Sequence, residues 1–287
     1  MYFLKKIKWD IPIVLTFSIG IHVFSLYLKH LDIIFPIFIS GFFGSSIAFL
    51  LTFKLNQSYD RWWEARKIWG AIVNDSRSLI MQIKNFTQNE TIICKRVAYR
   101  QMGWNFSLTK HLRKQDTLED LDQYISKEEF SKIKKHMNRP VALLDQHSQD
   151  ICELHQKGSI NDFQQIQLDS TIVRLTESMG KAERIKNTVF PKTYNVTLHV
   201  FIYIFLISLS FALTELHSLV EIPLLVFISV PLFLLEKVAL GIQNPFENKP
   251  SDTPMTTISK AIEVNLRQLI GEENKKDEKL KESYFIL

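Results

Sequence analysis

Two pairs of long uncharged runs bracket a charged middle, and this spacing constrains the fold more than any other feature. Residues 11–28 (IPIVLTFSIGIHVFSLYL) carry no formal charge unless His22 is protonated. Their eighteen residues reach the lower limit for crossing a bilayer as a helix. Residues 33–53 (IIFPIFISGFFGSSIAFLLTF) form a second run of 21 uncharged residues. Its centre holds Ser40, Gly41, Gly44, Ser45, Ser46 and Ala48, small side chains that let membrane helices approach closely. Residues 196–214 and 219–235 make the third and fourth runs, the last weakened by Glu221, Pro223 and Pro231. A segment in lipid must satisfy its own backbone, so these runs predict four transmembrane helices. Lys5, Lys6 and Lys8 before the first run also suit a cleaved signal. The run is too long for a signal core and no small-residue cleavage site follows, so a retained helix is expected.

The overall hydrophobic content of 46% matches soluble proteins and conceals this segregation. Most of the 21 phenylalanines fall in the four runs. Residues 54–195 are polar and predict helices throughout. Thr87 with Glu90 and Ser126 with Glu129 read as capping boxes, Pro140 suits a first helical turn and Gly158 a helix C-terminus. Ile172, Leu175, Met179, Ala182, Ile185 and Val189 recur at three and four residues, which is one face of a long helix. The closing run ENKKDEKLKE reads as a solvated helix end. No strand alternation of any length occurs.

Lys and Arg mark the cytoplasmic side of a membrane protein. They flank the outer ends of both pairs: Lys5, Lys6 and Lys8; Lys54, Arg61, Arg66 and Lys67; Lys181, Arg184, Lys186 and Lys192. The short loops hold only Lys29, His30 and Asp32 in one case and the acidic ELHSLVE in the other. Both termini and residues 54–195 are therefore expected inside the cell. The net charge of +5 is too small to indicate a nucleic-acid partner and is explained by these flanks. Cys94 and Cys152 have no metal or disulfide spacing. His147 and His155 lie two helical turns apart, about 12 Å, too far for joint ligation from one helix. No nucleophile elbow, phosphate loop or paired-carboxylate motif is present, so neither an enzyme nor a cofactor is expected. His22 and His199 lie in spans, where polar groups face a bundle or a pore; His22 suits an outer vestibule or a hydrogen-bonded packing role.

The segment Tyr59-Asp60-Arg61-Trp62-Trp63-Glu64 follows the second run directly. Its aromatic residues suit the headgroup level and its basic ones the wet side, and Asp60 and Arg61 have charges such as Glu64 and Arg66 about one turn away. The wider stretch SYDRWWEARKIWG resembles the signature after the pore helix of the bestrophin family, and Asn244-Pro245-Phe246 resembles that family's Asn-Pro-Phe motif. The resemblance runs from the first span to about residue 271, and the Lys-, Ile- and Asn-rich composition looks bacterial.

The resemblance implies a homopentameric ion channel of the bacterial inner membrane, with lipid and inorganic ions as further partners. It divides the chain into 1–57 (two spans), 58–195 (cytosolic helical domain), 196–237 (two spans) and 238–287 (cytosolic segment). It places a hydrophobic neck at Ser45, Phe49 and Phe53, where Ser45 departs from the expected aliphatic residue and shortens the dry stretch. The alternative for the two phenylalanines is packing inside a bundle. Ile172 matches a cytosolic aperture by position, with core packing as the alternative. The family's calcium-binding stretch corresponds to Glu247–Asp252, whose one Glu, one Asp and intervening Lys are poor provision for a hard cation. The family implies chloride or other small anions; a cation channel of the same fold, a secondary transporter and a tethered interaction protein are the alternatives.

Overall fold

The computed structural model describes residues 10–29, 36–87, 91–188, 190–213 and 218–272. Among the described residues there are nine α-helices, one short 3-10 turn and no strand. The helices are α1 (Asp10–Lys29), α2 (Ile37–Phe86), α3 (Thr91–Leu112), α4 (Lys127–Ile133), α5 (Arg139–Gln156), α6 (Asp162–Asn187), α7 (Lys192–Ala212), α8 (Ser218–Ile242) and α9 (Met255–Leu269). The chain divides into two compact units, Met1–Asp60 with Val189–Gln243, and Arg61–Thr188 with Asn244–Leu287. Glu90, Val189, the flanking Lys5, Lys6 and Lys8, the loop residues His30 and Asp32, and the run ENKKDEKLKE lie outside the described residues.

The apolar run that begins α2 does not end at its polar border; the helix continues for 50 residues. No proline interrupts it after Pro36, and Gly41, Gly44 and Gly70 are tolerated at about 1 kcal/mol each because packing compensates. Its polarity changes along its length. After Arg61 it becomes amphipathic, burying Ile68, Trp69, Ile72, Leu79, Ile80 and Ile83 at helical spacing.

In the first unit, α1 packs on α7 and α8, and α7 packs on α8. Val14, Ile47, Leu51, Leu198, Ile202, Leu206 and Phe233 form its core. Gly44 admits the ring of Phe205, which would stand 3.2 Å from a β-carbon there. The Tyr194 hydroxyl donates to the carbonyl of Leu50 at 2.7 Å. Many large apolar side chains point outward, among them Ile13, Phe24, Phe38, Phe42, Val196 and Phe227. In water such a surface would be a liability; in lipid it is neutral. By length and composition, three helices among the described residues can cross a membrane: α2, and α7 and α8 over Thr193–Ala212 and Val220–Ile242. The apolar stretch of α1, Ile11–Tyr27, is shorter. Pro223 and Pro231 sit inside α8 without ending it.

In the second unit α3 is central, packing on α5, α6 and α9. The face of α6 from Ile172 through Leu175, Met179 and Ala182 to Ile185 is buried as its periodicity predicts. The Ser126–Glu129 capping box forms at the start of α4, Pro140 opens α5, and Gly158 takes a positive φ of 72° just after it. Asn161 and Gln164 make a second capping box, at α6. Thr87 donates its hydroxyl back to the carbonyl of Ile83 at 2.7 Å. At the centre a buried cation, Arg100, is held by Glu129, by Asp150 at 2.6 Å and by the carbonyl of Gln146 at 3.2 Å. Beside it His147 is fully buried, its Nδ1 3.3 Å from the guanidinium. Burial, and then the charge of Arg100, push this imidazole well below its ordinary range.

Candidate functional site

The first half of α2 presents two unlike faces. Ile47, Leu51, Lys54 and Ser58 turn into the first unit and are buried. Phe38, Phe42, Ser45, Phe49 and Phe53 lie on the other face and are exposed, Phe49 and Phe53 by 64% and 47%. Spacings of four, three, four and four residues keep these five in one stripe. The hydroxyls near the stripe are satisfied within the helix. Ser45, Ser46 and Thr52 each donate to the carbonyl four residues back, Gly41, Phe42 and Ala48, at 2.8–2.9 Å. The stripe therefore offers rings, methyls and lone pairs but no free hydroxyl proton. Ser45 weakens its apolar character less than a serine in water would.

The signature segment that follows is a set of hydrogen-bonded ties. Arg61 donates from Nη2 to the carbonyls of Ile185 (2.8 Å) and Thr188 (3.1 Å), covering the exposed end of α6. Trp62 donates its indole N–H to the carbonyl of Ser251 at 2.9 Å and stacks on Trp63. Glu64 pairs with Lys67, one turn on, at 2.6 Å. Tyr59, Asp60 and Trp63 are exposed. In the Asn244-Pro245-Phe246 motif Phe246 is buried in the core of the second unit, and the carbonyl of Pro245 accepts from the N–H of Thr253 at 3.1 Å.

The stretch after that motif folds on itself. Asp252 accepts from the N–H groups of Glu247 (2.6 Å) and Lys249 (3.1 Å), while Glu247 pairs with Lys249 and Asn248 turns the chain with φ of 64°. Burial raises the Asp252 carboxyl despite those two donors. Both acidic side chains thus have internal partners. Among the described residues no three His, Cys, Asp or Glu side chains converge on a metal position.

Ile172 is 6% exposed and sits in the hydrophobic core of the second unit, so in the single chain its side chain is occupied by packing. His22 is buried and meets Glu221 at 2.7 Å, with Ser210 donating to the same carboxylate at 2.6 Å. A second intramembrane cluster was not anticipated. Lys54 is fully buried, its Nζ 3.6 Å from Glu236, and His199 contacts the same carboxylate oxygen at 3.0 Å. Lys54 and Glu236 stand at the borders of apolar runs, where sequence reads them as wet flanks. The only hint was that each has a histidine or opposite charge available in another span.

An exposed apolar stripe on a span, followed at once by a tryptophan pair of which Trp62 is bonded to Ser251 just after an Asn-Pro-Phe motif, is the arrangement that comparison with known proteins decides. A family profile described as Bacterial/Fungal Bestrophin protein matches residues 3–268. The chain belongs to the bestrophin family. A crystal structure of a bacterial bestrophin homologue from Klebsiella pneumoniae superposes with a TM-score of 0.88 at 25% identity, over 93% of this chain and 100% of that one. A voltage-dependent anion channel-forming protein of Ralstonia nicotianae is 29% identical over 268 residues, 92% of this chain and 88% of that protein. Its namesake in Escherichia coli K12 is 29% identical over 270 residues, 94% of this chain and 88% of that protein. Bestrophin membership together with the outward apolar helices makes this an integral membrane protein.

Proposed function

We propose that the chain is an anion-conducting channel, assembled as a homopentamer with the exposed stripe of α2 lining one central pore. The observation that carries this reading is the stripe itself. Phe38, Phe42, Ser45, Phe49 and Phe53 lie on a face that the chain's own helices leave uncovered. Symmetric copies closing a ring around such a face would leave a narrow dry passage, and an apolar constriction gates by dewetting. Ser45, Phe49 and Phe53 form the neck, with Phe49 and Phe53 as its tight part. Aromatic edges carry partial positive charge, so rings turned edge-on to the passage favour anions. The names of the relatives support the anion reading. In this arrangement α1 is the fourth span, tilted little because it is short, and both termini and residues 54–195 face the cytoplasm of a bacterial inner membrane.

The test is the reversal potential of purified protein in a planar bilayer under a potassium chloride gradient. A value near the chloride equilibrium potential is expected. A value near the potassium potential would keep the pore and reverse the ion preference. Silence from intact oligomers would overturn the channel reading.

A further inference from the structure

We infer that Lys54, Glu236 and His199 form a charge switch behind the neck that sets how strongly the pore prefers anions. The inference rests on the channel reading and adds to it a residue set that the neck does not contain.

Lys54 follows Phe53 directly in α2, so its α-carbon is about 3.8 Å from that of a neck residue. The helical turn between them sends Phe53 outward and Lys54 into the unit, where it is 0% exposed. Its ion pair with Glu236 Oε1 is 3.6 Å long, beyond hydrogen-bond range. The same oxygen lies 3.0 Å from Nδ1 of His199. A charge buried at the border of a membrane run is costly and is kept where it does a job.

His199 differs from its two partners in being left uncovered by the chain's own packing: its side chain is 47% exposed, against 0% and 2% for Lys54 and Glu236. Several groups face it. Lys54 comes from α2 and Glu236 from α8, while Tyr203 lies along α7 with ring centres 5.7 Å apart. Phe233 of α8 also packs on its ring, and α1 supplies Phe17, which packs on Tyr203. On α1, His22 is engaged with Glu221 at 2.7 Å.

The charge of the cluster follows by addition. With His199 neutral, Lys54 and Glu236 cancel. With His199 protonated, the cluster carries one positive charge. Repeated in every subunit around a poorly screened passage, that charge draws anions in and holds cations out. Acidification therefore raises the chloride-to-potassium permeability ratio, on the order of threefold or more.

The experiment reads that ratio from reversal potentials at about pH 8 and about pH 5.5, on either side of the ordinary imidazole range. The wild type is expected to gain anion preference at the lower pH. His199→Gln should give one ratio at both values. Glu236→Gln, which leaves Lys54 uncancelled, should raise the ratio at the higher pH, and Lys54→Met should lower it. Opposite shifts from two changes in one contact separate a charge effect from a loss of packing. Should Glu236→Gln fail to assemble, as judged by oligomer elution, His199→Gln at its half-exposed position carries the test alone. A full acid response in His199→Gln would overturn the inference, as would a conducting wild type whose ratio ignores pH; both leave the channel reading intact. A wild type that conducts nothing would overturn the channel reading and this inference with it.

Discussion

The rings of Phe49 and Phe53 meet edge to face, with centroids 4.5 Å apart and planes at 79°, on an exposed part of α2. One turn of helix brings them together, and neither is held by the core. Replacing both with alanine should therefore change conduction far more than stability. Phe49→Ala with Phe53→Ala is expected to raise single-channel conductance severalfold and weaken ion preference, read in planar bilayers. Thermal melting of the single chain's fold should move little, because both side chains are exposed and lie outside its core. Unchanged conductance and preference would remove the neck from these residues.

Arg100 is the reverse case, a cation enclosed by its partners. Arg100→Met leaves Glu129 without the charge it faces and Asp150 with Arg96 alone, and breaking a buried ion pair on one side costs about 3–5 kcal/mol. A fall in melting temperature of roughly 10 °C or more is expected for a fold of this size. A shift below about 2 °C would show that Arg100 contributes little to folding.

The same network makes the second unit sensitive to acid in two steps. His147 is buried and neutral, its folded pKa lowered by burial and then by Arg100. A group depressed on folding contributes stability that is present above its unfolded pKa and lost as pH falls below it. Loss should begin near pH 6.5, the ordinary histidine value, with a slope of up to about 1.4 kcal/mol per pH unit. His147→Phe should flatten the melting temperature between about pH 6.5 and 5. Glu129 follows lower down. Burial pushes its carboxyl up, but the charge and hydrogen bond of Arg100 and the bonds from Ser126 outweigh this and hold it below the usual range. Its share is lost only as pH falls below about 4.3, and the His147 variant should retain that step.

Two glycines are constrained for different reasons. A β-carbon on Gly103 would lie 2.9 Å from Cβ of Tyr124 and 3.0 Å from Cδ1 of Leu121, so Gly103→Ala forces the 3-10 turn away from α3. About 1–3 kcal/mol of stability should be lost, visible in denaturant titration. Gly158 has open space but a φ of 72°, and Gly158→Ala should cost about 1 kcal/mol through the backbone alone.

Periodicity made much of this legible. Three of the four apolar runs gave helices long enough to cross a membrane, Ile172 to Ile185 gave the buried face of α6, and Ser126 with Glu129 gave a cap, because each depends on neighbours in sequence. What was hidden depends on partners far along the chain. Nothing near Arg61 in sequence announces that it ends on the carbonyls of Ile185 and Thr188, 124 and 127 positions away. Lys54 reads as a solvated flank until α7 and α8 close over it. The border after span two was also illegible as a helix end, since α2 changes from apolar to amphipathic without a break. Ile172 matched an aperture by position alone, and position could not say which way its side chain turns.

The indole of Trp62 rests on the carbonyl of Ser251, across 189 positions of sequence, close to where Phe246 is locked into the same core. The signature segment and the stretch just after the Asn-Pro-Phe motif are thus tied together across distant parts of the gene. Mutation at either half disturbs the other, so the pair should drift together across species. A designer who grafts this membrane helix onto another scaffold must carry both halves, or the tryptophan arrives with nothing to hold it.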